Sequence, residues 1–528
     1  MTPQTPPLIA GLLQAKSYCH PAVKPQLIET HISWVILAGE FAYKIKKPLD
    51  LGFLDFTTLQ KRHHFCEEEV RLNRRLAPDI YLGVVAITGT FALPQVDAQV
   101  KSRGHVLEWA VKMRAFPANA TLDREAEITR EQIDAIANQV ADFHASIAIA
   151  PQSSLYGESS AVVAPIMLNF SQLSDLLRLP VSDQNAITLN VLHAWSQCEA
   201  ERLTAYFTQR KTGGFIRECH GDLHLGNIAW VDDKPLIFDA LEFNADLRHI
   251  DVINEVAFLS MDLQHRGRSD LAWRFLNHYL DLSGDIAGLA ALTFYQVYRA
   301  MVRAKVTALL AKAHETPCNE CMDYLQLAKH LIHTRHPVLI LMHGVSGSGK
   351  SWLSQHLLEQ LGGIRLRSDV IRKRLFGLKP LDNSRTISEN IYSQEASAQT
   401  LQQLIHDARI VLANGYLCII DATFIHRTWR QPFQDLAEEM HIDWHIISLE
   451  SSEEILRDRI IKRQHIGTDP SEADLSVLAS QLAHLQAHQQ TFFDEEKSHV
   501  ITVQIGRTLE ETLIHIRSRL ASCPNSAL

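Results

Sequence analysis

The sequence predicts two folding units, an α+β unit followed by an α/β unit with a mostly parallel sheet. The chain has 528 residues, and a single hydrophobic core rarely extends beyond about 300 residues. Up to about residue 335, a few short strands are followed by long helical stretches, whereas from residue 336 buried-strand runs alternate with helices to the end. We therefore predict one domain over residues 1–335 and a second over residues 336–528.

The periodicity of apolar residues predicts the elements of the first unit in order. HISWVIL and FAYKIKK have strand character and are joined by the turn-like residues AGE. Long stretches with apolar residues at helical spacing follow, and one short strand, PLIFDALEF, interrupts them. The predicted helical stretches are residues 58–76, 123–147, 151–215 and 245–335.

The composition is that of a globular protein with an acidic charge balance. Hydrophobic residues make up 46% and charged residues 21% of the chain, which argues against overall disorder. The formal net charge is −9, so a basic surface for DNA or RNA is absent at the level of the whole chain. The N-terminus lacks a signal-peptide pattern, no apolar run reaches the roughly 18–20 residues that span a bilayer, and the eight cysteines are scattered. These features predict a cytoplasmic protein without a membrane partner.

A phosphate-binding loop follows the first predicted strand of the second unit. The stretch GVSGSGKS matches the pattern GxxxxGK followed by Ser or Thr, between the strand VLILMHG and the helix SWLSQHLLEQL. Glycines allow the backbone to approach phosphate oxygens, while the amides and the helix N-terminus present partial positive charge. Lys350 would reach the β- and γ-phosphates of ATP and Ser351 would help to hold Mg²⁺; the alternative is a glycine-rich turn that binds no nucleotide. The predicted nucleotide-binding residues are Gly344, Val345, Ser346, Gly347, Ser348, Gly349, Lys350 and Ser351.

Two aspartates and two arginines accompany this loop. Asp421 ends the apolar run YLCIID, at a strand end where ligands bind in open α/β sheets, and is a candidate Mg²⁺ partner. Asp369 follows another predicted strand, where it could accept the proton of an acceptor hydroxyl. For either aspartate alone, a helix N-cap is the alternative role. Arg459 and Arg463 are four residues apart on one predicted helix face, where they either clamp phosphates or lie on a solvated charged surface.

The second unit resembles the small P-loop kinases, the group of gluconate kinase, polynucleotide kinase and zeta-toxin-like proteins. The resemblance lies in GVSGSGKS, RSDVIRKRLFG, IIDATF and RDRIIKR followed by GTDPSEAD, and it covers residues 336–510. It implies ATP as the phosphate donor, Asp369 as the catalytic base, and Arg459 and Arg463 as lid-helix arginines that approach the phosphates. It says little about the acceptor.

A second set of catalytic residue types occurs in the first unit. The stretch HGDLHLGN has the spacing HxDxxxxN of the catalytic loop in the protein-kinase fold. In this pattern Asp222 would orient or deprotonate an acceptor hydroxyl, and Asn227 would bind Mg²⁺. Asp239 ends the strand PLIF and takes the place of the second Mg²⁺ ligand, within DAL instead of DFG. We expect His144 to be a packing histidine near this loop and His224 to brace the loop backbone.

A lysine on a strand and a glutamate on the next helix should complete such a site. FAYKIKK places Lys44 and Lys46 on the same strand face because they are two residues apart. On the following helix Glu69 lies on the apolar stripe, where burying a carboxylate without a partner would be costly. Either lysine could supply the partner charge, and we predict the pair Lys44–Glu69 as part of the ATP site. The alternative is that these lysines lie on a solvated edge strand.

The first unit resembles the aminoglycoside phosphotransferase and fructosamine kinase branch of the kinase fold. HGDLHLGN and IFDALEF carry the resemblance, which covers roughly residues 30–310. It implies a bilobal α+β protein-kinase-like domain that binds ATP and Mg²⁺. One feature departs from the pattern, since LAGEFAYK offers only a short turn before the lysine and no GxGxxG loop is present. With RHIDVINEVAFLSMDL and YRAMVRAKV, the whole chain resembles bacterial proteins that fuse such a domain to a P-loop kinase.

Three functional hypotheses follow from these patterns. The favoured one is a bifunctional ATP-dependent phosphotransferase, in which both domains bind ATP and Mg²⁺ and transfer the γ-phosphate to a hydroxyl of a small molecule. In the second, the N-terminal domain is a ligand-binding module that regulates an active P-loop kinase. In the third, the C-terminal domain phosphorylates the 5′-hydroxyl ends of nucleic acid, against which the acidic charge balance argues. The sequence carries no readable signal for the acceptors or the oligomeric state.

Overall fold

The structure, a computed structural model, describes residues 5–52, 54–96, 105–117, 119–333, 336–467, 469–488, 493, 496–503 and 508–521. Contacts divide the chain into two compact units. The first comprises Met1–Ala135, Asp142–Ile166 and Thr204–Leu259, and the second comprises Ile136–Ala141, Met167–Leu203 and Ser260–Leu528. The predicted domain boundary near residue 335 falls outside the described residues and stays a prediction.

Strands and helices follow one another along the chain much as the sequence predicts. The strands are β1 Gln26–Glu29, β2 Ser33–Ala38, β3 Phe41–Lys46, β4 Tyr81–Thr90, β5 Leu93–Val96, β6 Glu108–Arg114, β7 Ile216–Glu218, β8 Ile228–Val231, β9 Lys234–Ile237, β10 His249–Asp251, β11 Val338–His343, β12 Gly363–Arg367, β13 Leu417–Asp421, β14 Asp443–Leu449 and β15 Val500–Val503. The helices are α1 Pro7–Leu12, α2 Leu59–Asn73, α3 Arg130–Ser146, α4 Ser159–Leu177, α5 Gln184–Arg202, α6 Thr204–Thr212, α7 Val252–His265, α8 Ser269–Ser283, α9 Leu289–His314, α10 Asn319–Leu331, α11 Lys350–Leu357, α12 Ser368–Leu375, α13 Gln394–Ala413, α14 Arg427–Glu439, α15 Glu453–Ile466, α16 Leu475–His488 and α17 Leu509–Ala521.

The first unit is built on an antiparallel sheet with the order β1-β2-β3-β6-β4-β5. Strand β3 lies inside this sheet, and Lys44 and Lys46 on it are only 8% and 1% exposed. The alternative of a solvated edge strand is therefore wrong. The connection from β2 to β3 is a two-residue turn at Gly39 and Glu40, as the short AGE segment predicts.

Local capping sets the helix boundaries around this sheet. Thr58 caps α2 by accepting the backbone N–H of Lys61, and Cys66 and Val70 on this helix belong to a cluster of buried apolar residues with β4 and β6. The next helix, α3, begins at Arg130 and not at residue 123, because Thr129 forms a capping box. Residues 123–129 of the predicted helix therefore lie outside α3.

The second unit contains a five-stranded, fully parallel sheet with the order β12-β13-β11-β14-β15. All six residues of β11 are buried, as expected for a strand covered on both faces. The order places the carboxyl ends of β12, β13 and β11 side by side at one edge. The predicted fold class, an α+β kinase-like part followed by an α/β P-loop part, is confirmed by these two sheets and the loops that follow.

Helices predicted to belong with the first domain pack on the parallel sheet within the second unit. On α8, Asn277 is 2% exposed, and its side chain donates to the backbone oxygen of Gly363 at 2.8 Å and accepts the N–H of Arg365 at 2.7 Å. These bonds satisfy backbone groups of β12 at the free edge of the sheet. A salt bridge of 2.8 Å between Arg274 and Glu359 lies beside them. The helical region after residue 260 is therefore an integral part of the second unit.

One helix among the described residues, α4, has the length and composition of a membrane-spanning segment, with a mean hydropathy of 1.2. The helix is not an uninterrupted apolar run, because Asn169, Ser171 and Asp175 lie within it. Phe170 and Leu173 on this helix are buried within the protein. A core helix passes the same test of length and composition.

Candidate active sites

A buried cluster of alternating charges lies on β3 and α2 of the first unit. The ammonium nitrogen of Lys44 lies 2.8 Å from Glu69 and 2.5 Å from Asp239. Lys46 contacts the other carboxylate oxygen of Glu69 at 2.7 Å and also pairs with Glu242. The predicted Lys44–Glu69 pair is thus present, and the second lysine, which the sequence left open as an alternative, shares the same glutamate.

Electrostatics keep Lys44 and Glu69 ionised at neutral pH. Burial would lower the pKa of Lys44, but the carboxylates of Asp239 and Glu69 raise it well above its ordinary value. For Glu69 burial acts in the opposite direction and raises the pKa. The charges of Lys44 and Lys46 outweigh burial and lower the pKa of Glu69 to about 2. Lys44 therefore presents a full positive charge beside the partly exposed Asp239, where an anionic ligand can reach it.

The catalytic-loop residues of the first unit adopt a hydrogen-bonded arrangement. The side-chain amide of Asn227 donates to the backbone oxygen of Asp222 at 3.0 Å and to its carboxylate at 3.1 Å. His220 contacts the backbone oxygen of Phe238 at 2.8 Å, which ties the loop to the segment that carries Asp239. His224 accepts the N–H of Gly226 at 3.1 Å, so it braces the loop backbone as predicted.

Asp239 is held in an uncommon backbone conformation next to Lys44. Its φ of 63° lies in the left-handed region, which non-glycine residues adopt at a cost. Its N–H donates to the hydroxyl of Tyr81 at 3.2 Å, and the N–H of Ala240 donates to Asn73 at 2.8 Å. These bonds from β4 and α2 point the carboxylate of Asp239, which is 42% exposed, towards the lysine.

Glu255 on α7 is a residue of this site that the sequence analysis missed. Its buried carboxylate accepts the N–H of Gly221 in the catalytic loop at 2.7 Å and contacts the ring of His144 at 2.8 Å. His144 is therefore more than a packing residue, since it orients the carboxylate that holds the loop. With Cys219, these two side chains form a group within 4.8 Å of one another, but both oxygens of Glu255 are engaged by hydrogen bonds. An acid within the apolar run VINEVAF was the signal in the sequence.

Replacement of Glu255 by glutamine is expected to reduce the sensitivity of the protein to acid. Burial raises the pKa of Glu255, but the hydrogen bond and charge of His144 outweigh it and lower the pKa to about 2 from an ordinary 4.5. The unfolded protein thus binds more protons between these values, and the free energy of unfolding falls as the pH drops through this window. The contribution, about 3 kcal/mol, is complete above the unfolded pKa and lost near the folded one. Urea unfolding from about pH 6 to pH 2.5 should show a weaker pH dependence in Glu255→Gln than in wild type.

Glu439→Gln is the control for this measurement, because Glu439 forms an exposed ion pair with Arg409. Its pH dependence should follow that of the wild type. An equal acid sensitivity of wild type and Glu255→Gln would contradict the assignment of Glu255 as a buried carboxylate that secures the loop.

The P-loop of the second unit turns tightly between β11 and α11. Gly344 and Gly347 have φ of 145° and 84°. A Cβ at Gly344 would lie 2.7 Å from the hydroxyl of Ser348, and one at Gly347 would lie 2.9 Å from the backbone oxygen of Leu456. Only glycine fits these positions. Lys350 opens α11, and its ammonium group donates to the backbone oxygen of Val345 at 2.9 Å.

The two predicted aspartates lie at the same edge of the sheet as the P-loop. Asp421 is the last residue of β13 and pairs in register with Met342 of β11. Asp369 lies in the first turn of α12, directly after β12. The N-cap positions of α12 and α14 are Arg367 and His426, so the alternative of a helix N-cap is wrong for both aspartates.

Arg459 and Arg463 on α15 face the P-loop cavity. Arg459 donates to the backbone oxygens of Gly347 and Ser348 at 3.3 Å and 3.2 Å. Arg463 donates to the backbone oxygen of Ala473 at 2.6 Å, within the segment that follows α15. Both side chains line the cavity, where Arg459 is exposed and Arg463 is half-buried.

The P-loop, both aspartates and both arginines line one cavity of about 1170 Å³. Burial lowers the pKa of Lys350 to about 8, against the attraction of Asp421 and Asp369. The cavity also contains residues that carried no spacing signal and were missed in the sequence. These are Arg367, Arg372, Tyr392, Trp429, Asp469 and Gln481.

The residues of both sites fit ATP and Mg²⁺. In the P-loop, the hydroxyl of Ser348 is buried and has no hydrogen-bond partner in the described part of the chain, and the glycines leave a cradle that side chains would fill. Such loops bind phosphate groups through backbone amides. Ser351 with Asp421, and Asn227 with Asp239, offer the hydroxyl, amide and carboxylate oxygens that Mg²⁺ prefers.

A P-loop at the carboxyl edge of a parallel sheet defines a nucleotide-binding domain, and a family model described as an AAA domain matches residues 339–488. Over 473 residues the chain is 30% identical to the uncharacterised protein Rv2004c of Mycobacterium tuberculosis. The matched region covers 88% of this chain and 92% of that protein. The chain therefore belongs to the family of this mycobacterial protein.

Two solved structures are similar to separate parts of the chain. A gluconokinase from Sinorhizobium meliloti is 20% identical, with a TM-score of 0.25, over 35% of this chain and 93% of that one. An ethanolamine kinase from Plasmodium vivax is 11% identical, with a TM-score of 0.37, over 58% of this chain and 82% of that one. The family model over residues 339–488 agrees with the predicted P-loop part of the chain.

Proposed function

We propose that the protein is a bifunctional ATP-dependent phosphotransferase that phosphorylates hydroxyl groups of small molecules at two separate sites. The observation that carries the proposal is the cavity of the second unit, in which the P-loop, Asp369 and Asp421 meet. The cluster of Lys44, Glu69 and Asp239 beside the catalytic loop supports a second site in the first unit.

In the second unit, each side chain around the P-loop would have a separate role in phosphoryl transfer. Lys350 and the loop amides would hold the β- and γ-phosphates, while Ser351 and Asp421 would hold Mg²⁺. Asp369 would accept the proton of the acceptor hydroxyl as its oxygen bonds to the γ-phosphorus. The bond from that phosphorus to the β–γ bridging oxygen breaks, and ADP leaves. Arg459 and Arg463 would balance the charge that develops on the transferred group.

In the first unit, Asp222 would orient or deprotonate the acceptor hydroxyl. Asn227 and Asp239 would hold Mg²⁺, and Lys44, fixed by Glu69, would contact the phosphates of ATP. In the structure Lys44 contacts Asp239 directly. Binding of nucleotide and metal would replace this contact, because each ion then gains a partner of opposite charge.

A regulatory role of the first unit is the second candidate. The two-residue turn at Gly39 and Glu40 favours it, because this turn is too short to fold over phosphates as a glycine-rich loop does. The nucleic-acid hypothesis loses support, since the basic segment IRKRLFGLK is used internally. Lys373 is 2% exposed and bonds to Glu472, and Arg374 donates to the backbone oxygen of Asp281 at 2.9 Å.

The proposal is tested by the turnover of ATP by the full chain. ADP release and phosphorylated products would be measured with a panel of hydroxyl metabolites, aminoalcohols and 5′-hydroxyl oligonucleotides. We expect small molecules to stimulate ADP release and to become phosphorylated. Stimulation by oligonucleotides alone would contradict the small-molecule acceptor, and the absence of ATP-analogue binding in a thermal-shift assay would contradict both sites.

The affinity of the second unit for nucleotide is expected to fall above about pH 8, where Lys350 loses its proton. Below this pH the ammonium group is charged before nucleotide binds. Above it the protein must take up a proton on binding, so the apparent dissociation constant rises by up to about tenfold per pH unit. Calorimetric titration with AMP-PNP and Mg²⁺ measures this trend in the Lys44→Met background, which weakens binding at the other site. Lys350→Arg keeps its charge at all these pH values and should show a flat profile; equal profiles would contradict the prediction.

We also propose that the protein is cytoplasmic and that its partners are small molecules. The seven described cysteines are free thiols, which agrees with a reducing cytoplasmic environment. The partners we propose are the two small-molecule acceptors, with no membrane and no nucleic acid.

A further inference from the structure

Two cysteines lie close together at the beginning of α10. Cys318 is the N-cap residue of this helix, and Cys321 lies in its first turn, within the sequence CNEC. The N–H of Met322 donates to the backbone oxygen of Cys318 at 3.3 Å, which closes the turn. In helical geometry, Cα atoms three residues apart are separated by about 5 Å. Because a disulfide spans roughly 4.4–6.8 Å between Cα atoms, the backbone is suited to a bridge between these residues.

The side chains of the two cysteines contact each other. Both are free thiols, and the thiol of Cys321 is in hydrogen-bond contact with that of Cys318. Burial, together with the neighbouring sulfur of Cys318, raises the pKa of Cys321 well above its ordinary value. Cys321 therefore stays a protonated thiol at neutral pH, with a second sulfur beside it.

The two thiols differ in their access to solvent. Cys318 is half-buried and follows the exposed residues 315–317, which connect α9 to α10. Cys321 is fully buried on the face of α10 that also buries Tyr324 and Leu325. A reagent in solution thus reaches the sulfur of Cys318 first, and the sulfur of Cys321 is placed to react with Cys318.

A metal site is the alternative role for a CxxC pair, and zinc needs further ligands beside such a pair. Over the described ranges of the chain, one group of candidate ligands lies close together, and it consists of His144, Cys219 and Glu255. Neither Cys318 nor Cys321 belongs to this group. Neither lines the P-loop cavity, so the pair is also separate from the proposed site of phosphoryl transfer in the second unit.

We propose that Cys318 and Cys321 form a redox-active dithiol, which a low-molecular-weight disulfide oxidises reversibly to an intramolecular disulfide. The thiolate of Cys318 attacks one sulfur of the small disulfide, so that a mixed disulfide forms and one small thiolate leaves and takes up the proton from Cys318. The sulfur of Cys321 then attacks that of Cys318, and its proton passes to the second departing thiolate. Two protein thiols are oxidised, and one small disulfide is reduced to two thiols.

Excess small thiol reverses both steps. The bridge is therefore compatible with the free thiols of a reducing compartment, where protein disulfides are usually transient and serve redox sensing or catalysis. The inference does not depend on the phosphotransferase proposal, because it concerns a different pair of residues and a different reaction.

The test exposes the full chain to mixtures of reduced and oxidised glutathione, then alkylates the remaining thiols and measures peptide masses. Cleavage after Lys and Arg yields a peptide, residues 313–329, that contains both cysteines and no other. We expect this peptide to lose two hydrogens, to gain neither glutathione nor the alkylating group, and to recover both thiols with dithiothreitol. The exposed Cys198 is the internal control, because a single surface thiol forms a mixed disulfide with glutathione instead.

Two variants test the order of the steps. In Cys321→Ala, the mixed disulfide at Cys318 should accumulate at least about tenfold above the wild type, because an oriented neighbouring thiol otherwise displaces glutathione rapidly. In Cys318→Ser, the buried Cys321 should stay unmodified, and serine is a preferred N-cap residue that preserves the start of α10. Cys198→Ser is the matched control and should leave oxidation of the pair unchanged.

The wild-type chain alone decides the inference if a variant fails to fold. A peptide 313–329 that remains a dithiol under conditions that fully modify Cys198 would overturn it. Equal amounts of glutathione on Cys318 in wild type and Cys321→Ala would also overturn it, because Cys321 would then not resolve the mixed disulfide. Zinc that copurifies with the wild type and is lost in Cys318→Ser would assign the pair to a metal site and overturn the redox role.

Discussion

Lys350→Ala is expected to lower phosphoryl transfer by the second unit by about 10²–10³-fold, the usual cost of removing one preorganised donor from a transition state. Lys350 is the buried first residue of α11, and the negative charges of Asp421 and Asp369 attract its ammonium group. Its loss removes the fixed positive charge that balances the transferred phosphate. Initial rates of ADP release with a second-unit acceptor measure the effect.

Asp222→Ala provides the reciprocal experiment, because Asp222 belongs to the first unit. It should abolish transfer to the acceptors of that unit and leave the Lys350-dependent rate unchanged. If Asp222→Ala has no effect on any acceptor while Lys350→Ala abolishes all transfer, the first unit is a regulatory module and not a second enzyme. Transfer that survives in the double variant would contradict both assigned sites.

The motif-bound parts of both sites were predictable because short segments of chain determine them. The P-loop needs eight consecutive residues, and the spacing of Asp222 and Asn227 is contained within one loop. The Lys44–Glu69 pair was also accessible, since strand alternation and the apolar stripe of α2 place both side chains on inward faces.

The partners that complete these sites were not predictable in the same way. Glu242 meets Lys46 across 196 residues of sequence, and Glu255 meets His144 across 111. No periodicity relates residues so far apart, and only the folded chain shows which acid faces which base. The cavity residues Arg367 and Arg372 were quoted within a basic segment, but their orientation depends on how β12 and α12 meet.

The grouping of the helices shows the same limit on a larger scale. Apolar periodicity identified a helical region after residue 245 but not the sheet against which it packs. Asn277 shows which sheet the helix packs against, because its side-chain amide bonds to the backbone of Gly363 and Arg365 on the edge strand β12. A buried asparagine on an amphipathic helix indicates a polar partner, but the sequence does not indicate which one.

Lys46→Met is expected to lower the free energy of unfolding of the first unit by about 3–5 kcal/mol, the typical cost of leaving a buried charge without its partner. Lys46 is 1% exposed and bridges Glu69 and Glu242, so its removal leaves Glu242 buried without that ammonium group. Urea unfolding followed by tryptophan fluorescence measures the loss. Lys61→Met on α2 is the matched control, because Lys61 forms an exposed ion pair with Asp55 and its removal should change stability little.

A double variant separates the buried charge from the lost packing of Lys46. Adding Glu242→Gln to Lys46→Met removes the uncompensated carboxylate, so we expect it to restore part of the stability. Lys44→Met should behave differently from Lys46→Met, since Lys44 faces the partly exposed Asp239 and its main effect should fall on the KM for ATP. Equal losses of stability and equal effects on ATP for the two lysines would mean that the cluster acts as one structural unit, and the assignment of Lys44 alone to the nucleotide site would then be wrong.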